Sequence, residues 1–315
     1  MIQAANVASG LLSKQQVERP TEFDKFKDIS TGIPILIPAD STVFEFSKSD
    51  IFEIDYNKIL KVIYGIEFSD YIGFKHAFGS NKFLKDYKLK NNYSKLFKSF
   101  VSQNLETLSA IKKLKSKFKK IGAFQTRNIP HLGHELIINK MLELCDHVVI
   151  NPVLGPKKEG DVNLASLQDI YSYLINNRYK DKISFMPIYA NMFYAGPREA
   201  IHHALMRKTL GFAFFSVGRD HAGAEGVYLP DAAAKAVDNY KSMLGIEVMQ
   251  HNGAKYCNRC VKVVLDGDCK HNAIYLSDIS GSEFRHCLRK KIFYPLADKS
   301  LQEYVFDSNL DLFEK

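Results

Sequence analysis

The chain has 315 residues, 46% of them hydrophobic and 25% charged, with a formal net charge of +8 at pH 7. That is enough apolar chain for a substantial core divided between two domains. No apolar run approaches the roughly 18 residues of a membrane span, and the amino end lacks the basic-then-apolar pattern of a secretion signal, so a cytoplasmic protein is expected. The basic balance favours polyanionic ligands, nucleic acid and nucleotides alike. Cysteines at 145, 257, 260, 269 and 287 are odd in number, which points to thiols or a metal rather than a disulfide framework.

In chain order, Gly32–Pro38, Ile51–Tyr56 and Ile59–Glu67 read as short strands broken by turn residues, the makings of a small β-rich barrel. Residues 76–120 are Lys-rich with interleaved Phe and Tyr. A helix there carries Ile111, Leu114 and Phe118 on one side, and is expected to pack on the following domain rather than to form a nucleic-acid patch. Ile121–Phe124 is the end of a buried strand. It leads into Gln125-Thr126-Arg127-Asn128-Ile129-Pro130-His131-Leu132-Gly133-His134 and then an amphipathic helix, with Pro130 in its first turn. Three-residue spacing sends His131 and His134 the same way over backbone N–H groups expected to be free, an anion site with Arg127 and Gln125 beside it.

The pattern then alternates: strand 147–155, polar loop 156–162, helix 163–180, strand 183–188, and a helix opened by Tyr194-Ala195-Gly196-Pro197-Arg198-Glu199. Such alternation predicts a parallel α/β sheet with its site at the carboxyl ends of the strands. The strand 212–217 delivers Gly218-Arg219-Asp220-His221-Ala222-Gly223, in which glycines permit close backbone approach, Arg219 supplies a fixed positive fork, and Asp220 accepts from hydroxyls or orients the arginine. Cys257-x-x-Cys260 followed by Cys269-x-His271 offers four ligands, the number of a closed tetrahedral zinc site, with His271 the least secure and Asp266 and Asp268 nearby. Ser282 is placed to cap the helix entered by Ile279-Ser280-Gly281-Ser282-Glu283-Phe284-Arg285.

Gln125-x-Arg127-Asn128, His131-x-x-His134 and Gly218-Arg219-Asp220-His221-Ala222-Gly223 together closely resemble the signatures of ATP sulfurylases (sulfate adenylyltransferases). The resemblance is strong over residues 121–300 and faint over 1–75. In many members the proline follows the Asn directly, whereas here Ile129 takes that place and Pro130 comes next. The family's early Ala-x-Gly-x-x-Ser-Pro segment has only a shortened echo in Ala5–Ser13, its His-Gly-Gly segment is missing, and no Gly-x-x-x-x-Gly-Lys-Ser/Thr marks a fused kinase domain.

The resemblance implies a Rossmann-like parallel-sheet nucleotidyltransferase domain at 119–250. A shortened PUA-like β-rich domain with the Lys-rich connector precedes it at 1–118, and a zinc-binding insert with a small α/β segment follows at 251–315. It further implies that Gln125, Arg127 and the N–H of Ala222 bind sulfate, and that His131, His134, Arg219 and Asn128 hold the triphosphate and stabilise the transition state. Thr126, Gly218, Asp220, His221, Ser280 and Gly281 then lie along the nucleotide. The implied reaction is in-line attack of sulfate on ATP to give adenylyl sulfate and pyrophosphate, with Mg²⁺ travelling on the nucleotide, structural Zn²⁺ on the cysteines, and the chain in a homo-oligomer. Two anions about 4 Å apart repel by about 4 kcal/mol per unit-charge pair at an effective dielectric of about 20, so such a site needs cations first and no nucleophile of its own. Two alternatives stand beside this one: an adenylyltransferase for another oxyanion (phosphate, selenate or a substituted sulfonate), and a PUA-like RNA-binding protein with a degenerate enzyme domain.

Overall fold

A computed structural model describes residues 95–155, 161–219, 221–222, 226–308 and 310–314, with shorter stretches at 5–6, 8–11, 41, 43–53, 57, 60–65, 82–84 and 88–90. The expected strand 32–38 therefore lies outside the described residues, as do 54–56 of the next one. Before the main sheet, two short antiparallel ladders form. β1 (Phe44–Glu45) pairs with β4 (Lys88–Leu89), and β2 (Ile51–Glu53) with β3 (Lys82–Leu84). The third expected strand is instead a π-helical turn, Leu60–Tyr64. The reason is spacing: Leu60 and Tyr64, four apart, are 0% and 2% exposed on one side of the turn, and the Tyr64 hydroxyl donates to the Phe193 carbonyl at 2.9 Å.

Helix α1 (Lys95–Lys115) is the Lys-rich segment, ending five residues before the sheet rather than running to it. Its buried residues are Phe97, Asn104, Thr107 and Ile111, so the helix docks as expected, but partly through polar groups. Asn104 bonds the backbone of Tyr189 in both directions and Thr107 donates to the Pro187 carbonyl at 2.7 Å. The lysines of α1, Lys95, Lys98, Lys112, Lys113 and Lys115, are left exposed.

Five parallel strands follow: β5 (Ile121–Phe124), β6 (His147–Ile150), β7 (Ile183–Phe185), β8 (Phe214–Gly218) and β9 (Glu247–His251), in the order β7-β6-β5-β8-β9. Between them run α2 (Leu132–Leu142), α3 (Leu164–Arg178), α4 (Pro197–Leu210), α5 (Ala232–Asn239) and α6 (Lys241–Leu244). β5 and β6 are buried at every residue, which is why they read as continuous apolar runs rather than alternating ones. The chain builds outward from β5 to β7, then returns to place β8 on the other side of β5. The gap between β5 and β8 is thus the switch point of the sheet, where loops leaving adjacent strands diverge and a crevice opens.

A three-stranded antiparallel sheet, β10 (Ala254–Cys257), β11 (Lys262–Leu265) and β12 (Leu276–Asp278), packs against α2. The chain closes with α7 (Gly281–Arg289) and α8 (Lys299–Asp307), whose Phe284, Leu288, Leu301 and Val305 join the core on the α2 and α3 side. None of the described helices is long and apolar enough to cross a membrane.

Candidate active site at the switch point

A cleft of about 370 Å³ opens at the carboxyl ends of β5 and β8, lined by Gln125, Thr126, Arg127, Asn128, His134, Val153, Met192, Tyr194, Arg219, His221 and Ala222. The two sequence motifs, some ninety residues apart, therefore meet because their strands are neighbours. Asp220 lies outside the described residues.

The loop after β5 departs from expectation at its helix. α2 begins at Leu132 with His131 as N-cap, so Pro130 sits just ahead of the cap and not in the first turn. Ile129, 1% exposed, is anchored in the core below. The helix amides are not free either. The Leu132 N–H donates to the Leu296 carbonyl at 2.9 Å, and that of His134 to His131 Nδ1 at 3.3 Å, while the His131 N–H donates to His134 Nδ1 at 3.4 Å. The two imidazoles form a reciprocal capping box and stack with centroids 3.7 Å apart. His134 faces the cleft, and His131 stacks on it without lining the cleft.

This arrangement decides the chemistry of the pair. Each Nδ1 accepts from a backbone N–H, so in the neutral ring the proton is on Nε2, which is a donor. Burial holds His131 down at about 4 and, with the neighbouring His131 and His251, holds His134 well below its ordinary value. At neutral pH both are uncharged, and the positive charge at the cleft comes from Arg127 and Arg219, both exposed.

Asn128 is held from two sides. Its Oδ1 accepts from Arg285 Nη1 of α7 at 2.7 Å, and its N–H donates to Thr126 Oγ1 at 3.2 Å. Ser280, rather than the expected Ser282, caps α7 by accepting from the Glu283 N–H at 3.2 Å, Ser282 already lying inside the helix. A Cβ at Gly281 would lie 3.7 Å from Asn128 Nδ2, so both residues stand at the cleft's edge rather than in its lining. Gln125 Oε1 is buried with no hydrogen-bond partner among the described residues. Tyr194 and Ala222 both line the cleft with left-handed backbones, φ 56° and 54°, a strain that non-glycine residues carry only where the surroundings enforce it.

Gly218 ends β8, and a Cβ there would meet His251 Cε1 at 2.9 Å. His251 is fixed by the Gly253 N–H on Nδ1 at 3.2 Å and by Ser216 Oγ at 3.0 Å from Nε2. Gly218→Ala is therefore expected to push His251 off Ser216 and to cost about 1–3 kcal/mol of stability in a denaturant melt. An unchanged midpoint would show that His251 moves freely.

Sequence reading missed seven contributors. Tyr194 was read only as part of a helix entry and Met192 not at all, Arg285 was noted only as part of a motif, and α4 buries Glu199, His202, His203 and Arg207. The last had a legible signal, a polar stripe at positions i, i+3, i+4 and i+8 of a helix otherwise rich in apolar residues.

The second expected site also assembles. Cys257, Cys260, Cys269 and His271 place their ligand atoms all within 4.8 Å of one another. Sulfur–sulfur distances of 3.5 and 3.7 Å, and 3.3 to 3.5 Å from each sulfur to His271 Nδ1, sit close to the edges of a tetrahedron built on a metal–sulfur bond of about 2.3 Å. The Cys260 N–H donates to Cys257 Sγ at 3.3 Å, which favours the thiolate. His271 completes the set. Asp266 is drawn instead to Lys255, 3.5 Å away.

A polar, arginine-flanked cleft at the switch point of a parallel sheet, with neutral imidazole donors and, among the described residues, no assembled nucleophile, fits an α/β nucleotidyltransferase. The sequence model of the family described as ATP-sulfurylase matches residues 101–297, and the chain belongs to that family. A sulfate adenylyltransferase of Pyrococcus abyssi is 33% identical over 277 residues, covering 87% of this chain and 71% of that protein. One of Ignicoccus hospitalis is 41% identical over 169 residues, covering 53% of this chain, which here spans under half (44%) of the relative. Among solved structures, one described as a hexameric APS kinase from Thiobacillus denitrificans aligns with a TM-score of 0.47 at 16% identity, over 72% of this chain and 44% of that one.

Proposed function

We propose that the protein is a sulfate adenylyltransferase, in which sulfate attacks the α-phosphorus of ATP to give adenylyl sulfate and pyrophosphate. The observation that carries this reading is the convergence of Gln125, Arg127, Asn128, His134, Arg219, His221 and Ala222 on one cleft. Arg127, Gln125 and the N–H of Ala222 are assigned to sulfate, Gln125 through its Nε2 amide N–H, whose partner in the free protein is Met192 Sδ at 3.9 Å. His134 and Arg219 are assigned to the triphosphate, His131 to holding His134 in place, and Asn128, braced by Arg285, to aligning the phosphates. Thr126, Gly218, Asp220, His221, Ser280 and Gly281 complete the nucleotide side. Mg²⁺ arrives bound to ATP. Catalysis is then positioning plus charge stabilisation.

Pyrophosphate release measured against sulfate, selenate, phosphate and substituted sulfonates tests the assignment. Sulfate and selenate are expected to lead, and equal rates with all four would overturn it in favour of a related adenylyltransferase.

The Cys257, Cys260, Cys269 and His271 cluster is assigned to structural zinc. One zinc per chain is expected by elemental analysis, and Cys260→Ser should lower both the metal content and the melting temperature. Full stability in a metal-free preparation would sink that role. The two amino-terminal ladders support a shortened PUA-like domain at 1–118, with 119–250 catalytic and 251–315 as insert and closing segment. Assembly into a homo-oligomer is checked by light scattering.

A further inference from the structure

Beneath the cleft, α4 carries buried polar groups that the assignments above leave without a role. Glu199 is 0% exposed, and its two oxygens accept the N–H groups of Phe193 and Ala195 at 2.8 and 3.0 Å. His203, also 0% exposed, brings Nε2 to 3.3 Å from Glu199 Oε1, bent away from an ideal line and with no other partner for that nitrogen. His203 Nδ1 lies 3.0 Å from His221 Nε2. His221 lines the cleft. A carboxylate and two imidazoles thus stand in file from the core to the ligand site.

Proton positions along such a file are linked, because a neutral imidazole has one N–H and one lone pair. In its ionised form, which prevails above about 7, the Glu199 carboxylate only accepts, so the proton of His203 then belongs on Nε2 and its Nδ1 offers the lone pair. His221 must then donate from Nε2. Its Nδ1, for which the described residues offer no partner, keeps its lone pair for the cleft. The groups around the file, Arg207 and His202 on α4 itself and His251 at the end of β9, oppose a second proton on either ring. Arg207, over the Phe215 ring at 5.1 Å and bonded to the Asn151 carbonyl at 3.0 Å, adds positive charge. His202 and His251 stand nearby, and burial, with Arg207, keeps both His203 and His221 well below their ordinary values.

We infer that Glu199 and His203 are positioning residues which, through this file, hold His221 as the Nε2–H tautomer and make its Nδ1 an acceptor for a hydrogen-bond donor on the bound ligand. Ionised phosphate and sulfate oxygens only accept, whereas the ribose hydroxyls and the amino group of adenine donate. The inference rests on the adenylyl-transfer reading for its ligand and deepens it, assigning His221 to the nucleoside and to neither anion.

Imidazole nitrogen spectra of the labelled, ligand-free protein, taken above about pH 8 where Glu199 is ionised, test the tautomer whatever the substrate is. His221 is expected to show a pyridine-type Nδ1 and a protonated Nε2, and a protonated Nδ1 overturns the inference. Failure of the sulfate reading would appear separately, in the oxyanion panel. Glu199→Gln supplies an amide N–H to His203 Nε2 and should invert both rings. The KM for ATP is then expected to rise about tenfold while kcat at saturation changes less than about twofold. A merely structural role would instead lower the amount of folded enzyme without inverting the tautomer. Because that variant disturbs a buried site, the unaltered enzyme is also assayed with 2′-deoxy-ATP, 3′-deoxy-ATP and the triphosphate of purine riboside. A loss of about tenfold in kcat/KM with one of them identifies the donor as a hydroxyl or as the amine, and no loss with any overturns the ligand half of the inference.

Discussion

Arg219→Ala is expected to lower kcat for adenylyl transfer by on the order of 10²- to 10³-fold while leaving the melting temperature within about 2 °C of the parent. The asymmetry follows from where the side chain sits. Arg219 leaves the end of β8 exposed at the cleft and makes no ion pair among the described residues, so the fold does not depend on it. The chemistry does, because bringing sulfate against ATP sets like charges together at a cost of about 4 kcal/mol per pair, and the imidazoles of His131 and His134 are neutral and cannot offset it with full charge. Arg219→Lys keeps the charge but loses the fork, and should fall between the two. Steady-state pyrophosphate release and a thermal melt decide the matter; a loss below about tenfold would remove Arg219 from the transition state.

The second large effect is acid sensitivity. Burial holds His131 and His251 at about 4 and His202 at about 3, and pushes His134, His203 and His221 well down as well. In the unfolded chain all of them titrate near about 6.5, so below that pH the unfolded state binds more protons than the folded one. Stability contributed by a depressed imidazole is complete above about 6.5 and is lost as pH falls toward its folded value, at roughly 1.4 kcal/mol per pH unit per group. Glu199 works the other way: burial raises it to about 7, so it favours the fold as pH drops from 7. Burial likewise raises Glu135 and lowers His147, so two carboxyls are outweighed by seven imidazoles. The melting temperature is expected to fall by at least about 10 °C between pH 7 and pH 5, and His202→Phe, which removes one titrating group, should shift the acid limb to lower pH. A flat melting profile over that range would contradict the buried-imidazole account.

How much of this was legible in the residues depended on range. The strands β5, β6 and β8 announced themselves as unbroken apolar runs because they are buried on both faces, and their alternation with helices fixed the parallel sheet. The two motifs were readable because polar residues at fixed offsets after such strands have few structural uses. His271, the member of the Cys/His cluster least secure from spacing alone, lies on the connection from β11 to β12 and brings its Nδ1 to 3.3–3.5 Å from all three sulfurs. What spacing could not give was partnership at a distance. That Leu296 takes the first amide of α2, that Arg285 braces Asn128, and that two histidines satisfy each other's backbone are facts of tertiary packing. The expected strand at 59–67 failed for the opposite reason: its apolar residues suit either periodicity, and the hydroxyl of Tyr64 found its acceptor only in the helical one.

The outward-and-back order of the sheet also has a temporal meaning. β5, β6 and β7 can pair as they leave the ribosome, but the strand carrying Arg219 and His221 is made some ninety residues after the loop carrying Arg127 and His134, and it must slot in on the far flank. A nascent chain released before that insertion would hold a nearly complete half-sheet with no capacity to capture nucleotide. Ligand binding by this protein is thus a late reporter of maturation, and ATP added during refolding should stabilise only the final state and leave the earlier, three-stranded one untouched.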